Sequence, residues 1–213
     1  MAVPTNTAPT NTVPPSTASI DDEVVDGGPL GAVSSATIEA DVRLTVNGTT
    51  HRLTVEARRN LVDVLRRDLG LNGTQVGCDT GACGSCTVLM GGEPVRSCLV
   101  LAAQADGASI ETVESLAPDG ILGPLQEAFR EKFALQCGFC TAGFLMLGTA
   151  LLRQEPDADR DRIREWVSAN LCRCTGYSTI IDAIEAAAQA GHRLPLDTTP
   201  REEASEIGAE RSA

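Results

Sequence analysis

The chain has 213 residues, a formal net charge of −12, only 3% aromatic residues and eight cysteines. The acidic balance excludes a nucleic-acid binder, which needs a basic patch. One Trp, one Tyr and four Phe leave few large anchors for a core, so a staple is expected: disulfides, a metal or a partner subunit.

The opening stretch, MAVPTNTAPTNTVPPSTASI, has no basic residue and no apolar run, unlike a secretory signal, and no twin-arginine pair. The longest strongly apolar stretch, FLMLGTALL at 144–152, is too short to span a bilayer. A cytoplasmic protein without a membrane span is therefore expected. In that compartment clustered cysteines bind metal more often than they form disulfides.

Residues 1–37 are rich in Pro, Thr, Ser, Ala and Asp without periodicity, and are read as a disordered or partner-draped arm. Over 41–57 the pattern alternates. Val42, Leu44 and Val46 share a face, Asn47-Gly48 is a hairpin signal, and Leu53 and Val55 resume on the return strand. Leu61, Leu65 and Leu69 then recur at helical spacing, with Asn60 as N-cap and Gly70 as stop. A cysteine-rich loop follows, then strands TVLM, VRSCLVL and SIETV separated by turns. Strand, strand, helix, loop and three strands predict a small mixed sheet clasping one helix.

Beyond Pro118 the pattern turns helical, with helices predicted near 122–135, 141–154, 159–170 and 177–189, the last stopping at Gly191. Asp157 or Asp159 is expected to cap the third. The division falls in ESLAPDG, 114–120. The predicted organisation is an arm at 1–37, a sheet domain at 38–116, a helical domain at 117–191 and a polar tail at 192–213.

The cysteines sort into two quartets. Cys78, Cys83 and Cys86 have C-x4-C-x2-C spacing, and Cys98 follows after eleven intervening residues. This is the plant-type spacing for a [2Fe–2S] cluster. Such a cluster with four thiolates carries a formal charge of roughly −2, and about −3 when reduced. Backbone amides in tight turns solvate that charge, and Gly77, Gly81 and Gly84 let the main chain come close. The second quartet is Cys137 and Cys140, then Cys172 and Cys174 with only Arg173 between them. Both pairs precede a predicted helix, where the helix dipole favours anions and lowers thiol pKa. Zinc knuckles are usually C-x2-C on both sides, a form neither quartet has. A disulfide scaffold conflicts with the missing signal sequence. His51 and His192 lie outside both quartets and are read as surface residues.

The stretches GCDTGACGSCTVL, VRSCL, QCGFCTAGF and LCRCTGY together resemble the small iron–sulfur subunit of the molybdenum hydroxylases. That family includes xanthine dehydrogenase, aldehyde oxidoreductase and aerobic carbon monoxide dehydrogenase. The resemblance runs from about Ala40 to Gln189. It implies an α+β chain, with an N-terminal β-grasp plant-type ferredoxin-like domain followed by an all-α four-helix domain. Each domain would hold one [2Fe–2S] cluster. It further implies a large subunit carrying molybdopterin as a dinucleotide, a medium subunit carrying FAD, and a dimer of heterotrimers. The helical-domain cluster would lie beside the molybdopterin and the ferredoxin-like cluster nearer the FAD. By the same resemblance, Gln136 and the Cys174 sulfur would contact the pterin. A plainer role for Gln136 is to satisfy backbone groups at a helix end. Two positions depart from the family: Gln75 stands where relatives commonly carry lysine, and Ala142 where many have proline.

No nucleophile–base pair, phosphate loop or paired carboxylates are visible, so any hydroxylation chemistry belongs to another subunit. The expected function is electron transfer as a subunit of an oxidoreductase. The alternatives are a free-standing [2Fe–2S] ferredoxin, which would need no second domain, and a zinc-stabilised interaction module.

Overall fold

The computed structural model describes residues 37–190, so all but the last residue of the predicted arm, the tail, His192 and the Gly191 stop lie outside the described residues. Strands β1 (Glu39–Val46) and β2 (Thr49–Glu56) form the expected hairpin, with Val46 opposite Thr49. Asn47 and Gly48 both take positive φ, 50° and 81°, as a two-residue turn matched to strand twist requires. Val42, Leu44, Val46 and Val55 are buried, so one face of the hairpin points to the core.

The helix after Asn60 is short. α1 (Leu61–Asp63) passes directly into a π-helical turn, Val64–Asp68, closed by the Leu69 amide on the Val64 carbonyl at 3.1 Å. Asn60 occupies the N-cap position but makes no side-chain cap bond. The wider turn leaves Leu61, Val62, Val64 and Leu65 all buried, rather than only an i, i+4 stripe. Arg66 then donates to the carbonyls of Asn72 at 2.7 Å and Thr74 at 2.6 Å, tying the start of the cysteine loop to the helix.

Strands β3 (Thr87–Met90), β4 (Glu93–Arg96) and β5 (Ser109–Glu111) complete a five-stranded sheet of order β2-β1-β5-β3-β4. The β1–β5 pair is parallel and the others antiparallel. The strand predicted over 95–101 ends at Arg96, because the chain leaves the sheet to deliver Cys98. Ser97 Oγ donates to the Cys86 carbonyl at 2.7 Å, and the Ser97 carbonyl accepts from the Val62 amide.

The helical half contains α2 (Pro124–Glu131), α3 (Thr141–Gln154), α4 (Arg160–Val167) and α5 (Ser178–Gln189). α2 is shorter than predicted, starting at Pro124 behind Gly123 and giving way to Phe133 at a φ of 52°. Asp159 is the cap of α4, its carboxylate accepting from the Arg162 amide at 2.8 Å. α4 also stops early, and residues 168–171 peel away towards the sheet half. Leu125, Phe129, Phe144, Leu151, Ile163, Ile180 and Ile184 form the helical core.

The halves pack together. Val88 joins the sheet core, while Leu89, pointing the other way, packs with Met146 and Ala150 of α3. Arg153 of α3 grips Glu111 of β5 through two bonds, 2.7 and 2.8 Å, largely out of solvent. Among the described residues, no helix is long and apolar enough to cross a membrane.

Candidate iron–sulfur sites

The first quartet surrounds the loop that leaves α1 and enters β3. Cys78 Sγ accepts from the amides of Thr80 at 3.4 Å and Cys83 at 3.3 Å. The Thr80 hydroxyl together with these amides pulls the Cys78 thiol down to about 6. Cys86 and Cys98 are buried against Val62 and Val76. Burial, with Cys86 adjacent, pushes the Cys98 thiol up to about 11, while the Gly81 amide opposes the rise. A Cβ on Gly77 would stand 3.1 Å from Cys83 Sγ and 3.3 Å from the Phe139 ring, so only glycine leaves the sulfur its space.

The second quartet is assembled from two distant turns. Cys137 Sγ and Cys174 Sγ lie 3.6 Å apart, and Cys140 lies close enough to Cys172 to influence its thiol. Burial, then Cys172, pushes the Cys140 thiol up to about 12. Burial alone would also raise Cys172, but donation from the Thr175 hydroxyl and amide outweighs it and leaves that thiol below its ordinary value. The Thr175 hydroxyl stands 3.1 Å from Cys172 Sγ. Tyr177, at a φ of 70°, turns back so that its hydroxyl accepts from the Cys172 amide at 3.1 Å. Cys140 is the N-cap residue of α3, as the sequence predicts, but three residues separate Cys174 from α5.

All eight thiols are free. Among the described residues, no three His, Cys, Asp or Glu side chains close around a single point, as one tetrahedral ion would require. The helical-half sulfurs instead meet in pairs, which suits a two-iron group with two thiolates on each iron. Gln136 is exposed, and its Nε2 donates to the Cys174 carbonyl at 3.1 Å, holding the two cysteine turns together. Gln75 bonds within its own loop, to the Asn72 carbonyl at 3.2 Å. His51 sits on β2, partly buried, its pKa lowered by burial.

Two family models match, a 2Fe-2S iron–sulfur cluster binding domain over residues 44–116 and a [2Fe-2S] binding domain over 112–185. The nicotine 6-hydroxylase small subunit of Paenarthrobacter nicotinovorans is 54% identical over 157 residues, 73% of this chain and 93% of that one. The chain belongs to the small iron–sulfur subunits of the molybdenum hydroxylases. Among solved structures, quinoline 2-oxidoreductase from Pseudomonas putida 86 matches with a TM-score of 0.69 at 52% identity, over 72% of this chain and 96% of that one. The aldehyde oxidoreductase of Desulfovibrio gigas matches with a TM-score of 0.68 at 42% identity, over 71% of this chain but 17% of that longer chain. The protein is thus an electron-transfer subunit of a multi-subunit oxidoreductase, built on an α+β fold with two [2Fe–2S] domains.

In this iron–sulfur subunit the segment entering Cys172 lies directly on the first loop. The Leu171 amide donates to the Cys83 carbonyl at 2.9 Å, so one backbone hydrogen bond joins the two quartets. Asn170 is buried, and neither end of its carboxamide has a hydrogen-bond partner in the protein. A Cβ on Gly84, whose φ is +75°, would strike Asn170 Oδ1 at 2.0 Å. Paired thiols, amides aimed at sulfur and an orphaned carboxamide between the quartets all fit a chain that closes around [2Fe–2S] groups. Asn170 carries no sequence signal, and Arg96 and Phe139, though within VRSCL and QCGFC, have no role that spacing assigns.

Proposed function

We propose that Cys78, Cys83, Cys86 and Cys98 hold one [2Fe–2S] cluster, and Cys137, Cys140, Cys172 and Cys174 the other. Each cluster, when bound, supplies a one-electron carrier. The chain's own groups do the rest. The amides of Thr80 and Cys83 and the hydroxyl of Thr175 offset thiolate charge. The Leu171–Cys83 hydrogen bond sets a short through-bond link between the ligand sets. Burial of Cys86 and Cys98 keeps water from the inner site.

The proposed setting is a complex in which a large subunit bears molybdopterin and a medium subunit bears FAD, paired as a dimer of heterotrimers. The helical quartet faces the molybdopterin and the sheet quartet faces the FAD. The observation that carries this orientation is the exposure of the Cys137–Cys174 pair, against the burial of Cys86 and Cys98. Phe133 at 79% and Leu135 at 43% exposure flank Gln136 and Cys137, an apolar rim suited to a large protein partner. In the aldehyde oxidoreductase, the matching region is part of one longer chain, which supports such a close contact. Gln136 and Cys174 are the residues proposed to touch the pterin. The domain limits of 38–116 and 117–191 belong to the same reading.

The test is EPR of the dithionite-reduced chain, with iron and sulfide counted on the same sample. Two distinct signals at about four iron and four sulfide per chain are expected. One signal with half the iron would leave a single-cluster ferredoxin, and a colourless zinc protein would overturn the reading.

A further inference from the structure

Arg96 closes β4 two residues before Cys98. Its guanidinium makes three hydrogen bonds, all to uncharged acceptors. Nη1 donates to Thr87 Oγ1 at 2.7 Å, Nε to the Gly81 carbonyl at 3.4 Å, and Nη2 to the Ala169 carbonyl. No carboxylate among the described residues pairs with it. Eight other arginines there are paired, while of the unpaired ones Arg43, Arg52 and Arg173 are exposed and Arg66 bonds only to the nearby Asn72 and Thr74 carbonyls. A partly buried cation without an anion is unfavourable, so its counter-charge needs a source.

The bonded residues indicate that source. Gly81, whose carbonyl Arg96 holds, lies two residues before Cys83. Thr87, held by the same guanidinium, directly follows Cys86. The fork therefore lies behind the Gly81–Thr87 loop that carries Cys83 and Cys86, and its third arm reaches the segment leading to Cys172.

We propose that Arg96 is the counter-charge of the sheet-half cluster and raises its reduction potential, acting as a positioning residue through the loop rather than as a ligand. This rests on the two-cluster reading above. Reduction adds one negative charge to the cluster, and a fixed cation nearby favours the more negative state. Arg96 also pins the Ala169 carbonyl, so the same side chain holds the two ligand sets together.

The experiment is an EPR-monitored redox titration of the full chain and its Arg96→Gln and Arg96→Lys variants, with iron counted in each. A Cys98→Ser chain assigns the sheet-half signal. The expected result in Arg96→Gln is about a tenfold fall in the reduced-to-oxidised ratio of that signal at fixed potential, about 59 mV for one electron. The other signal moves less, and Arg96→Lys, which keeps the charge but not the fork, returns most of the shift. Equal shifts in the two variants, or none while all iron is retained, overturn the proposal. Should Arg96→Gln lose its iron, the lysine variant decides: a potential close to that of the unmutated chain supports the counter-charge, and one lowered by the full amount, about 59 mV, overturns it. An unmutated chain lacking two clusters would instead sink the reading beneath it.

Discussion

The two quartets reach similar chemistry by opposite routes. In the sheet half, three thiols come from one loop and the fourth from the exit of β4, and two of the four are buried in a small apolar pocket. In the helical half, two turns far apart in sequence meet head-on, and one sulfur pair faces outward. The first is a cage whose floor is protein core. The second is a clasp that opens onto a surface. The contrast sets a largely buried group of thiols beside an exposed one, with one backbone hydrogen bond, Leu171 to Cys83, between the segments that carry them.

Ligand removal tests that contrast most strongly. Cys98→Ala should abolish the sheet-half cluster and also lower the stability of the iron-free chain by about 1 kcal/mol, since it empties part of a packed pocket. Cys137→Ala should remove the other cluster and leave iron-free stability nearly unchanged, because that thiol is exposed. Iron counts with urea melts read both, and equal stability losses would erase the distinction.

The seam between the halves comes next. A Cβ on Gly143 would meet the Gly84 carbonyl at 2.4 Å and Ser85 Cα at 3.1 Å, backbone atoms that cannot swing away. Gly143→Ala should cost about 1–3 kcal/mol, the range for overpacking. It should disturb both EPR signals at once, and a change in one alone would mean the sites are built independently. Arg153→Met, which strands Glu111 at the same seam, should cost about 3 kcal/mol by thermal melt, the lower end for a broken buried pair.

The smallest effect lies away from the seam. Three hydrogen bonds from Arg162 hold the Glu155 carboxyl below its ordinary value. Its folded pKa is depressed, so the stability it contributes is present above the ordinary carboxyl range and lost as pH falls through the folded value. Arg162→Met should therefore lower the melting temperature slightly at pH 7 and not at all in strong acid. A larger loss in acid would reverse the sign and exclude this pair as the cause.

Much of this was legible beforehand. The hairpin was readable because Asn-Gly and period-2 alternation are local signals, and α3 was readable because Thr141–Gln154 is apolar nearly throughout. The reading failed where a local pattern met a distant demand. Residues 97–101 look like strand but leave the sheet to bring Cys98 to its partners. Residues 168–170 look like more of α4, yet they uncoil so that Ala169 and Leu171 can bond to the first loop. The Leu61–Leu69 stripe reads as a plain helix, but closing the core under the cysteine loop widened it into a π-turn.

The sequence by itself determined the chemistry: eight thiols at spacings that suit two [2Fe–2S] groups, set among glycines and short polar side chains. Ligand type and spacing are properties of neighbouring residues, so no fold is needed to read them. Only the tertiary structure decided which sulfurs pair, which face outward, and that Arg96, Asn170 and Leu171 lie where the two ligand sets meet. Those facts depend on contacts between segments far apart in the chain, 37 residues for Cys137 with Cys174 and 73 for Arg96 with Ala169. Such contacts form only when the sheet and helical cores close on each other.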